Sequence, residues 1–114
     1  MTDEPRALLV KCRRDEDFYV AWSDIVEAPL WCGNRVEAAA YGYSEERIKR
    51  ADEFGTSSLP RWYAWCDKGM IAEQRGFLPR RYLRAYTLLY AAEEMQAAFD
   101  LLDPFPDLAE VRRD

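Results

Sequence analysis

Histidine is absent from the 114 residues. That removes Ser-His and Cys-His couples, histidine metal sites and the commonest general base near neutral pH. Cysteine is sparse and poorly spaced for chemistry. Cys12, Cys32 and Cys66 are odd in number, far apart and free of any CxxC pair, which argues against a disulfide framework or a zinc site. Each lies in an apolar, strand-like run, where a free thiol behaves as a small buried hydrophobe. The signatures GxSxG, Walker A, GxGxxG and the EF-hand loop are missing too. No apolar run approaches the roughly 20 residues that span a bilayer. Met1-Thr2-Asp3-Glu4-Pro5 carries no apolar leader, so a cytoplasmic protein without a membrane partner is expected. Lysine is scarce: three against 13 arginines, beside 15 alanines, a bias typical of GC-rich genomes.

What is present is globular. Apolar residues make up 49% and charged residues 32% of the chain, which fits one soluble domain over residues 1–114 with tails at 1–6 and 104–114. Ala7 to Arg13 alternates as a half-buried strand, and Phe18 to Trp22 is apolar on both faces, as in a central strand. Ser23 to Gly33 holds Pro29, which suits an edge or a bulge. Asn34 with Glu37 forms a capping-box signature for a helix ending at Gly42, and Ser44 caps a second helix that stops at Gly55. Tyr43 before that cap can pack on Ile48 as a hydrophobic staple. Trp62–Cys66 and Met70–Gln74 flank Asp67-Lys68-Gly69 and predict a β-hairpin.

From Pro79 to Leu102, the residues Ala85, Leu88, Ala92, Met95, Phe99 and Leu102 recur at spacings of three and four. The spacing predicts one helix about 35 Å long at about 1.5 Å per residue. The expected fold is α+β: a small, mainly antiparallel sheet of four to five strands, with two short helices and one long C-terminal helix packed on it.

Charge is unevenly placed. Between Glu73 and Glu93 there is no acid, yet Arg75, Arg80, Arg81 and Arg84 occur, interleaved with Phe77, Tyr82 and Tyr86. Arginine and tyrosine are enriched at interface hot spots. Arg80, Arg81, Arg84, Tyr82 and Tyr86 are therefore the candidate contact patch for an acidic partner surface, with Trp31 in the irregular stretch as a further candidate. The plainer alternative is that these arginines pair with the protein's own carboxylates. A net charge of −5 disfavours nucleic acid, whose phosphates need a basic face. Carboxylate pairs such as Asp52/Glu53 are adjacent in sequence, do not face one another on a helix, and belong on a solvated face. Gly55-Thr56-Ser57-Ser58 could donate backbone N–H groups to an anion, but reads first as a helix-terminating turn. No metal, cofactor or catalytic residue is expected.

Two segments, residues 19–29 (Tyr19 to Pro29) and 50–58 (Arg50 to Ser58), resemble segments of small, uncharacterised proteins encoded by actinobacteriophages. The resemblance covers 20 of the 114 residues and implies a phage or prophage origin, without an activity or site residues. The expectation that follows is a non-enzymatic accessory protein that binds a host protein, a defence component for example, and inhibits or redirects it. A structural or self-assembling phage component, or a homodimer formed through the long helix, is the alternative. An enzyme using carboxylates or Cys66 ranks third.

Overall fold

In the computed structural model, residues 4–61, 63–65 and 69–105 are described. The chain begins with an antiparallel meander of β1 (Leu8–Lys11), β2 (Tyr19–Ser23) and β3 (Ala28–Gly33), with β2 in the middle. Two helices follow, α1 (Arg35–Tyr41) and α2 (Glu45–Phe54). A second antiparallel sheet is made of β4 (Met70–Ala72), β5 (Gly76–Leu78) and β6 (Asp103–Pro104), in that order. Between β5 and β6 run a 3-10 turn at Arg80–Tyr82, α3 (Leu83–Ala91) and α4 (Met95–Phe99).

Alternation along the first sheet sorts its side chains into two cores. Leu9, Tyr19 and Ala21 face the helical layer and pack with Ala38, Tyr43, Ile48 and Ala51. Val10, Cys12, Val20 and Trp22 face the other way, onto Met70, Leu78, Leu83, Tyr86 and Ala98. The first sheet is thus the middle layer, buried on both faces, which explains why Tyr19 to Trp22 carries no polar residue.

Local chemistry sets the ends of the helical layer. Asn34 and Glu37 close a complete capping box on α1, and Ser44 accepts from Arg47 N–H at the start of α2. Tyr43 shares its core with Ile48, as the staple requires. Gly55 ends α2 at φ 83°, a left-handed conformation that glycine adopts without strain. The Trp65 ring rests where a Cβ on Gly55 would sit, 2.8 Å away.

The expected long C-terminal helix does not exist. After α3 the chain turns at Ala92–Glu94, with Glu93 at φ 62°, and α4 begins as a separate short helix. Leu89 O accepts from Glu94 N–H at 2.9 Å and closes the turn. Size is the physical reason. Strands of four to six residues offer about 13–20 Å of sheet, against about 35 Å of rod. A straight helix would have left half its apolar stripe in water, whereas folding back buries Ala98 and packs Phe99, Leu101 and Leu102 on the same core.

The single sheet of four to five strands is also replaced, by two sheets of three. Met70–Ala72 pairs with Gly76–Leu78; of the hairpin arm expected at Trp62–Cys66, residues 63–65 form no strand, and Trp62 and Cys66 lie outside the described residues. Gly76 does not lead into a helix. It pairs with Pro104 and admits no side chain, because a Cβ there would meet Asp103 O at 2.4 Å.

Candidate functional site

β1 runs out at Lys11 into Cys12 and the charged connection Arg13–Asp17, and the 3-10 turn and α3 start beside it. Between them lies a cleft of about 350 Å³, lined by Arg13, Glu16, Arg80, Arg81, Arg84 and Leu88, with Cys12 and Ala85 among its walls. Among the described residues, four guanidinium groups and one carboxylate line it, so this lining is locally basic on an acidic protein.

The arginines are held in different ways. Arg80 is an internal anchor: its guanidinium donates to the carbonyls of Lys11, Gly55, Tyr63 and Ala64 and stands 5.0 Å from the centre of the Trp65 ring. It ties the end of β1 to the C-terminus of α2 and the segment after it. Arg14 covers the same indole at 4.6 Å. Arg81 is exposed and lies 4.7 Å from the Tyr82 ring centre. Arg84 pairs with Glu16 and stacks over Phe18 at 4.9 Å, yet its side chain is 54% exposed. Such an exposed pair contributes about 0–1 kcal/mol and can be exchanged for another anion.

The six residues expected at the contact are therefore not one surface. Arg81, Tyr82 and Arg84 are exposed together at the start of α3. Arg80 lines the cleft but is anchored on carbonyls rather than presented whole. Tyr86 is fully buried, 6.2 Å from the Trp22 ring, and burial pushes its phenol well above the usual range. Trp31 is half-buried, stacks on Tyr41 at 5.0 Å and lines a different recess with Leu30, Thr87 and Tyr90. Arg13, Glu16 and Leu88 were not picked out by the sequence; the Arg13-Arg14 pair inside a charged inter-strand connection was the signal available.

The Cys12 thiol in the cleft wall is not activated. Burial pushes the Cys12 thiol up to about 12, with the Glu16 charge acting in the same direction and Arg80 and Arg84 only partly offsetting it. It stays protonated, a poor nucleophile. No group of three or more potential metal ligands occurs among the described residues.

A second polar cluster lies next to the cleft. The Asp52 carboxylate on α2 accepts from Lys11 Nζ at 3.0 Å, from the Tyr19 hydroxyl and from Arg35, whose guanidinium also reaches Glu45 at 2.5 Å. Burial alone would raise Asp52, but the hydrogen bonds from Tyr19, Lys11 and Arg35 and the Lys11 charge hold it below the usual carboxylate range. Burial and the bond to Asp52 push Tyr19 up to about 12. Every member faces another, so the cluster fastens α2 and α1 to the sheet. The Gly55–Ser58 turn is likewise occupied: Ser57 N–H donates to Leu9 O, Ser57 Oγ accepts from Leu9 N–H, and Lys11 N–H donates to Gly55 O. It covers the edge of β1 and offers no anion cradle.

Comparison with known proteins gives no match. No family model, curated protein or solved structure matches this chain. Among the described residues, no helix is long and apolar enough to cross a membrane.

Proposed function

We propose that this is a non-enzymatic binding protein that docks its arginine end on an acidic surface of another protein. The observation that carries the reading is the cleft whose described lining gathers Arg13, Arg80, Arg81 and Arg84 around Glu16, on a chain of net charge −5. Arg81, Arg84, Tyr82 and Leu88 at its mouth are exposed, and arginine and tyrosine are the residue types enriched at interface hot spots. Charge opposite in sign to the rest of the molecule orients it, so that a partner's acidic patch meets this end first. The two segments that resemble actinobacteriophage proteins supply the biological setting: a phage accessory factor whose partner is a host protein.

The test is capture of a stoichiometric partner from nuclease-treated host lysate, by the wild-type chain and by Arg81→Glu/Arg84→Glu. Both side chains are exposed, so the variant is expected to keep its melting temperature within a few degrees. Loss of the partner in the variant, with wild-type binding weakened by salt, supports the reading. Equal capture by both proteins refutes it, and loss of capture on nuclease treatment alone assigns the surface to nucleic acid instead.

A further inference from the structure

A different surface lies at the other end of the first sheet, where β2 turns into β3. Ile25 is 88% exposed there, Val26 55%, Leu30 56% and Tyr41 43%. The turn is not a loose loop. Ser23 Oγ accepts from the N–H groups of Ile25 and Val26 at 3.2 Å each. Glu27 is braced against the β4–β5 turn, its carbonyl accepting from Glu73 N–H at 3.0 Å and its carboxylate from Gln74 N–H at 2.8 Å. A braced turn that holds an isoleucine out in water gains nothing for the monomer, and contiguous exposed apolar residues of this kind mark contact surfaces.

Ile25 also borders a groove of about 410 Å³, whose apolar walls include Leu8, Leu30 and Tyr41. Two charged residues of opposite sign line it as well, Arg6 and Asp24. Both are exposed, and no ion pair joins them to each other or to another of the described residues. Partial desolvation at the groove pushes the Asp24 carboxyl up, with no cation offsetting it. Among the described lining residues, an apolar knob, a groove, one cation and one anion thus share a single face. That is the requirement of an isologous two-fold contact, in which each feature meets its complement on an identical chain.

We infer that this face is a self-association surface, on which a second copy of the chain seats its Ile25 in the groove while Arg6 of each copy opposes Asp24 of the other. A partner of uniform charge would leave either Arg6 or Asp24 opposed by like charge; an identical chain answers both.

Sedimentation velocity of the full chain over a concentration series tests this. A monomer–dimer equilibrium is expected, with a dissociation constant between about 1 and 100 µM. Ile25→Asp, a change at an exposed position that leaves the circular dichroism spectrum and melting temperature unaltered, is expected to weaken association tenfold or more. Arg6→Glu and Asp24→Arg are each expected to weaken it, and the double exchange Arg6→Glu/Asp24→Arg to restore it. A chain that remains monomeric at about 200 µM, above that range, overturns the inference. So does a dimer indifferent to Ile25→Asp, or a double exchange that fails to recover what the single changes lost.

Discussion

Replacing Arg80 by alanine removes one side chain and, among the described residues, four hydrogen bonds at once. Its guanidinium reaches the carbonyls of Lys11, Gly55, Tyr63 and Ala64, two of them at 3.3 Å, and covers Trp65. A hydrogen bond to a charged group contributes about 1.5–3 kcal/mol net, and the cation–π contact about 0.5–1 kcal/mol at a partly exposed site. Gly55 O keeps its bond from Lys11 N–H, and Arg80 is only half-buried, so water replaces part of the loss. The expected destabilisation is about 3–4 kcal/mol, out of about 5–15 for a domain of this kind. At about 4 °C per kcal/mol, the melting temperature falls by roughly 12–16 °C. Urea titration followed by tryptophan fluorescence reads this as a lower midpoint with an unchanged slope. Arg80→Lys recovers little, because an ammonium lacks the fork that reaches two pairs of carbonyls. Arg84→Ala, which gives up one exposed ion pair, is expected to cost about 0–1 kcal/mol. Equal midpoints for Arg80→Ala and Arg84→Ala would refute the distinction between anchor and contact residue.

Tyr43 and Tyr86, buried at opposite faces of the sheet, should respond differently to loss of their hydroxyls. Tyr86 OH has no partner among the described residues, so Tyr86→Phe is expected to be neutral or stabilising by up to about 1 kcal/mol; Tyr43 OH donates to Ala7 O at 2.8 Å, and Tyr43→Phe should cost about 1 kcal/mol in the same denaturation assay. Asp52 is held below the ordinary carboxylate range, so its share of stability is present above the unfolded-state value near pH 4 and is lost as pH falls through the folded value. Asp52→Asn should therefore cost about 1–2 kcal/mol at pH 7 and flatten the decline in stability below pH 4, measured as midpoints across a pH series; parallel curves for the two proteins would contradict the assignment. Gly76→Ala places a Cβ against Asp103 O and is expected to cost about 1–3 kcal/mol, with faster amide exchange at the β5–β6 pairing than elsewhere.

The helical layer could be read from the chain because its instructions are local. Asn34, Glu37, Ser44 and the glycines at 42 and 55 act within a turn of where they stand. The central position of β2 was visible for a similar reason, since a strand covered on both faces has no polar residue to show. The C-terminal third was not readable in the same way. The recurrence of Ala85, Leu88, Ala92, Met95, Phe99 and Leu102 passes straight through the turn at Ala92–Glu94, where no glycine or proline marks the break and Glu93 takes the left-handed conformation. What forces that turn is the length of the sheet beneath it, a tertiary property. Arg80 shows the same limit at the site. Its partners are backbone carbonyls, which every residue carries, so a run of arginines does not reveal which member faces inward. With the helix broken, a homodimer along a straight C-terminal rod has no surface on which to form.

The arginine cleft and the Ile25 groove are kept apart by the meander itself. The cleft is built on the β1–β2 connection and the groove on the β2–β3 turn, and consecutive turns of an antiparallel sheet lie at opposite ends of the strand they share. Five residues of β2 separate them by about 17 Å. A dimer closed through Ile25 would leave both arginine ends facing outward, away from the two-fold axis. Two weak contacts with an acidic partner then act together wherever that partner is itself dimeric or arrayed, and the second contact forms at an effective concentration set by the dimer rather than by bulk solution. Ile25→Asp should accordingly lower the apparent affinity for an arrayed partner, displayed densely on a sensor surface, by tenfold or more, while leaving affinity for the sparse, monomeric partner unchanged. Arg81→Glu/Arg84→Glu should lower both. A fall in both with Ile25→Asp would place Ile25 in the partner contact itself.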